Sequence, residues 1–255
     1  MPARLRYLLI QARDPGDPSR PEEAAQFARR LSAQPHQLRS VCLLTETLTM
    51  DMLQGVDMVL VGGSGAYSVR DDHDGIRAAK DFLGNVAATG FPTFASCFGF
   101  QLLVDALGGH VEPDHERTEL GTTELTLTPE GEADPVFGQL PRTFNAQMGH
   151  KDRAVRWPDD AVVNLASSAL VPFQALRVRG TAVYAAQFHP ELTAEENRHR
   201  FRRYYDDYSK AVGQDAAQTL MRDGFEPSQH AATLLGRYQQ HFFDVALDLA
   251  RLEVR

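Results

Sequence analysis

Cysteine is scarce in this sequence, with Cys42 and Cys97 the only two thiols among 255 residues. Two thiols in so long a chain make no disulfide framework and suit a reducing compartment, so a cytoplasmic setting is the expectation. Positive charge is short as well, 26 Lys and Arg against 34 Asp and Glu, for a formal net charge of −8. Such a surface repels phosphate backbones and anionic lipid, which argues against nucleic-acid and membrane-surface roles. No apolar run is long enough to span a bilayer, and Tyr7 to Ile10, behind the basic N-terminus, is too short for a signal peptide. Internal repeats and low-complexity tracts are missing too. Neither the Gly-x-Gly-x-x-Gly spacing nor a Walker lysine is present, so a phosphate-cradling loop has little support.

What is present is an alternation of short apolar runs with amphipathic stretches. Tyr7 to Ile10 reads as a buried strand, and Ala24, Phe27, Ala28 and Leu31 follow at helical spacing. Strands are expected at Ser40 to Leu44, Asp57 to Val61 and Thr93 to Ala95, with a helix over Asp74 to Ala87. Strands so continuously apolar are buried on both faces, which implies an α/β fold with a mainly parallel central sheet flanked by helices.

Between Gly121 and Phe188 five further strands follow without helices between them: Thr122–Thr128, Arg142–Met148, Val162–Ala166, Phe173–Val178 and Ala182–Phe188. They predict a smaller antiparallel element. Past Glu191, Phe201, Tyr204, Tyr205 and Tyr208 sit at helical spacing, and Gly213 and Gly224 to Pro227 mark breaks around a short helix. Ser228 reads as a cap for a final helix whose stripe is Leu235, Tyr238, Phe242, Val245, Leu249 and Leu252. That stripe packs either on its own domain or against a second copy or partner, the latter giving a homodimer through the C-terminal helix. The expected organisation is a catalytic domain over residues 1–192 and a C-terminal helical extension over 193–255.

Cys97 lies where the strand Thr93 to Ala95 meets the apolar stretch Phe98 to Leu103, with Ala95 two residues before it and Gly99 two after. Small residues at those positions permit the tight strand-to-helix turn of a nucleophile elbow, and a helix N-terminus favours thiolate. A lone cysteine at such a junction is more commonly inert, and Cys42, inside an apolar strand, gets that reading. A cysteine nucleophile needs a base. Among nine histidines, His189 is delivered by the strand Tyr184 to Phe188 to a turn where Glu191 can hold its second nitrogen. Two N–H groups should face the oxyanion: the amide of Phe98, and one from the glycine loop after Val61, for which Gly63 is the candidate.

Together these residues resemble the class I glutamine amidotransferases, in particular the amidotransferase domain of GMP synthase and its stand-alone relatives. The resemblance rests on Gly62-Gly63, the Cys97 elbow, Gln101 to Gly109, Glu119-Leu120-Gly121, Met148 to Asp152 and Gln187 to Glu191. Ala95, Ser96 and Phe100 stand where that family commonly has glycine, an aliphatic residue, and histidine or methionine. The resemblance implies the flavodoxin-like fold of the family and a Cys97–His189–Glu191 triad acting through a glutamyl thioester. Gln101 and the backbone near Gly149 and His150 would hold the substrate glutamine, with neither cofactor nor metal required. It also implies that ammonia passes to a separate synthetase partner. A γ-glutamyl peptidase would use the same triad, and a silent binding or regulatory protein would retain it without turnover.

Overall fold

The computed structural model describes residues 5–245. Its strands are β1 (Tyr7–Gln11), β2 (Leu38–Cys42), β3 (Met58–Val61), β4 (Thr93–Ser96), β5 (His110–Pro113), β6 (Glu119–Leu127), β7 (Thr143–His150), β8 (Asp152–Arg156), β9 (Val162–Ser167), β10 (Ala175–Val178) and β11 (Val183–Ala186). The helices are α1 (Ser19–Arg30), α2 (Asp74–Thr89), α3 (Phe98–Ala106), the single turn α4 (Pro129–Glu132), α5 (Ala194–Arg203), α6 (Tyr205–Val212), α7 (Gln214–Asp223) and α8 (Leu234–Phe243).

Nine strands form one sheet in the order β2-β1-β3-β4-β11-β10-β9-β6-β7. The run from β2 to β11 is parallel throughout, and from β11 onward each pairing is antiparallel. The antiparallel strands are thus continuous with the parallel half of the sheet. A separate two-stranded antiparallel sheet joins β5 to β8.

Alternation along the strands divides the core. Leu8, Ile10, Val59 and Val61 face α2 and α3, packing on Ile76, Phe82, Leu83 and Leu103. Tyr7, Leu9, Met58, Leu60 and Phe94 face the other way, onto Phe27 of α1 and Leu234, Leu235 and Tyr238 of α8. A sheet covered on both faces needs apolar residues at every position, which is why these strands read as continuous runs.

The inner part of the C-terminal stripe, Leu235 and Tyr238, is therefore buried in the chain's own core, while Leu249 and Leu252 lie outside the described residues. Ser228 does not cap α8. Its hydroxyl accepts from Gln147 Nε2 at 3.1 Å, and α8 begins only at Leu234. Helices α5, α6 and α7 gather Phe201, Tyr208, Ala217 and Phe225 into a third cluster with Leu120 of β6. No described helix is long and apolar enough to cross a membrane.

Candidate active site

Strands β4 and β11 are parallel neighbours with Ala95 opposite Ala185 and Ser96 opposite Ala186. Their C-terminal ends therefore deliver the residues that follow to one edge of the sheet, where α/β folds place their sites. Cys97 is the first residue past β4, its N–H donating to Ala186 O at 2.9 Å, and its backbone has φ +52° and ψ −105°. A non-glycine residue at positive φ costs on the order of 1–3 kcal/mol and persists only when its surroundings hold it there. Those surroundings are close: a Cβ on Gly99 would lie 2.7 Å from Val61 O, so α3 rests directly on β3. Cys97 thus stands at the N-cap of α3.

His189 and Glu191 follow β11. The His189 N–H donates to Gln147 O at 2.9 Å, and Nδ1 pairs with Glu191 Oε1 at 2.6 Å. Both side chains are essentially excluded from solvent. Cys97 and the same imidazole flank one point of the glycine loop, a Cβ built on Gly63 lying 3.6 Å from Cys97 Cβ and 2.7 Å from His189 Cε1, and with Nδ1 taken by Glu191 the nitrogen left for the thiol is Nε2. Burial opposes the imidazolium, but the Glu191 carboxylate and Cys97 favour it, and the net effect holds His189 above its ordinary value. Burial likewise opposes ionised Glu191, yet His189 and Arg200 keep its carboxyl below the usual range.

Arg200, from α5, lies against this pair. Its Nη1 is 3.3 Å from His189 Nδ1 and 3.2 Å from Nε2. One nitrogen almost equidistant from both ring nitrogens cannot approach along either lone pair, so the guanidinium sits over the ring face. Its Nη2 is 3.9 Å from Glu23 Oε1. Glu23, buried on α1, also accepts from Gln11 Nε2 and Arg13 Nη2, each at 2.9 Å, and from the Gly63 N–H at 3.0 Å.

The two loop glycines are required by close approach. A Cβ on Gly62 would come within 2.5 Å of the Glu23 carboxyl, and one on Gly63 within 2.7 Å of His189 Cε1 and 3.6 Å of Cys97 Cβ. Gly63 is thus beside Cys97, but its amide donates to Glu23 and Gly62 O accepts from Gly99 N at 3.1 Å. The Phe98 N–H, first in α3, makes no backbone hydrogen bond among the described residues.

Beside Cys97 opens a cavity of about 320 Å³ lined by Gln101, Gly149, His150, Lys151, Asp152 and Tyr208, among others. That is the size of a small-molecule site. Ser68, beyond the glycine loop, donates to Asp152 Oδ2 at 2.5 Å and ties the loop across it. Gln101 Nε2 donates to Asp152 O at 2.8 Å and Gln187 Oε1 at 3.1 Å. His150 is engaged at both nitrogens, Nδ1 with Asp152 O and Nε2 with Glu119 Oε2, each at 3.0 Å, which leaves neither ring nitrogen free for Cys97. Phe100 is fully buried against Trp157 and does not line the cavity. Cys42 is buried as well, its thiol donating to Arg13 O at 3.0 Å.

Three residues at this site escape a reading of the sequence: Glu23, Arg200 and Tyr208. Glu23 sits in Pro21-Glu22-Glu23-Ala24, which looks like the exposed acidic start of a helix. Arg200 is one of four arginines in α5. Tyr208 alone left a signal, as a member of the Phe201–Tyr208 stripe.

A family model described as glutamine amidotransferase class-I matches residues 15–204. The chain belongs to that family. The amidotransferase match runs past Glu191 through α5 and so includes Arg200. The chain is 31% identical over 153 residues to a subunit of glutamine-hydrolyzing GMP synthase from Sulfolobus acidocaldarius, covering 60% of this chain and 77% of that protein. It is 39% identical over 102 residues to the glutamine-hydrolyzing GMP synthase of Thermosipho melanesiensis, covering 40% of this chain but only 19% of that longer protein. A solved glutamine amidotransferase from Thermotoga maritima superposes with a TM-score of 0.67 over 98% of this chain and 99% of its own, at 16% identity, and so shares the fold.

Proposed function

We propose that this class I glutamine amidotransferase hydrolyses the side-chain amide of glutamine, with Cys97 as nucleophile, His189 as proton shuttle and Glu191 as its orienter. The observation that supports this reading is the single imidazole bonded to a buried carboxylate and set beside a cysteine at a positive-φ elbow. The Cys97 sulfur gives its proton to His189 and attacks the amide carbon, forming the C–S bond and an oxyanion that the Phe98 N–H, which makes no backbone hydrogen bond among the described residues, would receive. Gly63 is the second donor once its amide exchanges Glu23 for the oxyanion. The C–N bond then breaks as His189 passes its proton to nitrogen, releasing ammonia and leaving a glutamyl thioester. Water, deprotonated by His189, attacks the thioester and glutamate departs with restoration of the thiol. Gln101 and the Gly149–His150 backbone, which line the cavity, would hold the amino-acid end of the substrate.

Ammonia made here needs an acceptor. The S. acidocaldarius relative is named as one subunit of GMP synthase, which supports delivery to a separate synthetase partner.

The test is release of ammonia and glutamate from L-glutamine by the full chain, alone and with candidate synthetases. Cys97→Ser is expected to lower kcat by orders of magnitude, whereas Cys42→Ser, if folded, retains most activity. Equal activity of the two variants would sink the assignment.

A further inference from the structure

Tyr208 comes from α6, outside the strands that carry Cys97 and His189, yet it lines the same cavity as Cys97 and Gly149. A Cβ built on Gly149 would lie 3.5 Å from the Tyr208 hydroxyl and 3.9 Å from His189 Nε2. The hydroxyl and Nε2 therefore both border Gly149, on the wall of the cavity that also holds Cys97. In the proposed hydrolysis the leaving nitrogen takes its proton from Nε2 and so lies near Gly149, within reach of a group on that wall.

Two further observations describe the tyrosine. The residue is 5% exposed, and its hydroxyl makes no hydrogen bond among the described residues, so an unpartnered polar group faces the cavity. Its ring is held by neighbours. Phe201 stacks on it with centroids 5.2 Å apart at 14°, and Tyr204 meets it edge-on at 6.3 Å. A ring so packed cannot swing aside without disturbing α5 and α6. Burial pushes the phenol up to about 12, so it carries its proton across the working pH range.

Building on the proposed hydrolysis at Cys97, we infer that Tyr208 is a specificity-determining residue that selects an unsubstituted carboxamide. The hydroxyl oxygen accepts a hydrogen bond from the amide nitrogen that will leave, and the fixed ring occupies the volume an N-alkyl or peptidyl substituent would need. The preferred substrates are then primary γ-amides rather than γ-glutamyl peptides. Gly149 belongs to the same device, since a side chain there would fill the gap between phenol and imidazole.

The experiment compares kcat/KM for L-glutamine and for γ-glutamyl-ethylamide, with glutamate release as common readout, in the wild-type chain, Tyr208→Phe, Tyr208→Ala and the Cys97→Ser control. The wild type should favour glutamine. Tyr208→Phe keeps the ring and its stacking but loses the acceptor, and should lower the glutamine-to-ethylamide ratio by about tenfold. In Tyr208→Ala the ratio should fall further, through a gain on the ethylamide. If the alanine variant does not fold, the phenylalanine variant still decides. A ratio within about twofold of wild type in Tyr208→Phe, or a wild-type preference for the ethylamide, would overturn the role of Tyr208 alone. Absence of Cys97-dependent turnover of both substrates would overturn the hydrolytic reading, and this inference with it.

Discussion

A cation resting on the face of a histidine works against the imidazolium that a neighbouring carboxylate favours. Arg200 and Glu191 stand in that opposition around His189: Glu191 raises its proton affinity and Arg200 lowers it. Removing the guanidinium charge takes away the opposing influence on His189, while Glu191 keeps the pull of the imidazole on its carboxyl, so protonation of His189 becomes easier. In Arg200→Gln the limb of the kcat/KM–pH profile that reports His189 should move to higher pH, by about one unit. Arg200→Lys keeps the charge and should leave that limb near its wild-type position while losing the flat contact with the ring. A shift in neither variant would mean that the contact at 3.2 and 3.3 Å has no electrostatic consequence. Legibility at this scale followed locality. The placement of Cys97, His189 and Glu191 is readable because each lies within a few residues of a strand end that fixes its position. Arg200 reaches His189, and Glu23 reaches Arg200 and Gly63, through the packing of α5 and α1, and nothing in their own sequence neighbourhoods records those meetings.

Among the elements, strands buried on both faces were the most readable. β1, β3 and β4 fall within a residue or so of their apolar runs. β5 and β8 were not readable: each contributes one buried apolar residue, Val111 and Ala154, because the pair forms a two-stranded sheet with most side chains only partly buried. Period-two patterning is silent when only one position in four or five is buried. The antiparallel pairing of the later strands was legible, but the parallel contact of β11 with β4 was not, since it joins residues 90 apart in sequence and depends on topology. That contact sets the distance between Cys97 and His189, and the seating of α3 on β3 sets the turn at Cys97. Gly99→Ala should disturb the second without touching the first. Its new Cβ would stand 2.7 Å from Val61 O and 2.8 Å from Val61 Cβ, forcing α3 off the sheet. Overpacking of this kind costs about 1–3 kcal/mol, so the melting temperature should fall by several degrees and kcat by more than the loss of folded protein explains. An unchanged melting temperature and kcat would show that α3 has room the geometry denies it.

For the whole molecule, the segment after residue 192 has two attachments. α5 and α6 bring Arg200 and Tyr208 to the site, while α8 covers the face of the sheet opposite α2 and α3. Tyr238 is fully buried there, its ring 6.1 Å from Phe94 and 5.6 Å from Tyr184, and its hydroxyl donates to Ala182 O at 2.5 Å. We propose that the 192/193 boundary separates a catalytic region from an extension that completes its core, so the two do not fold independently. Truncation after Leu192 would expose Leu9, Leu60, Phe94 and Tyr184 together, an apolar surface that monomeric folds rarely leave open. The truncated chain should lose its cooperative thermal transition and its near-ultraviolet circular dichroism. The single substitution Tyr238→Ala, by leaving a cavity in the same face, should cost about 3–5 kcal/mol and lower the melting temperature without altering the His189 limb of the pH profile. A cooperative transition near the full-length temperature in the truncated chain would instead make residues 1–192 a folding unit, and would reduce the extension to a carrier of Arg200 and Tyr208.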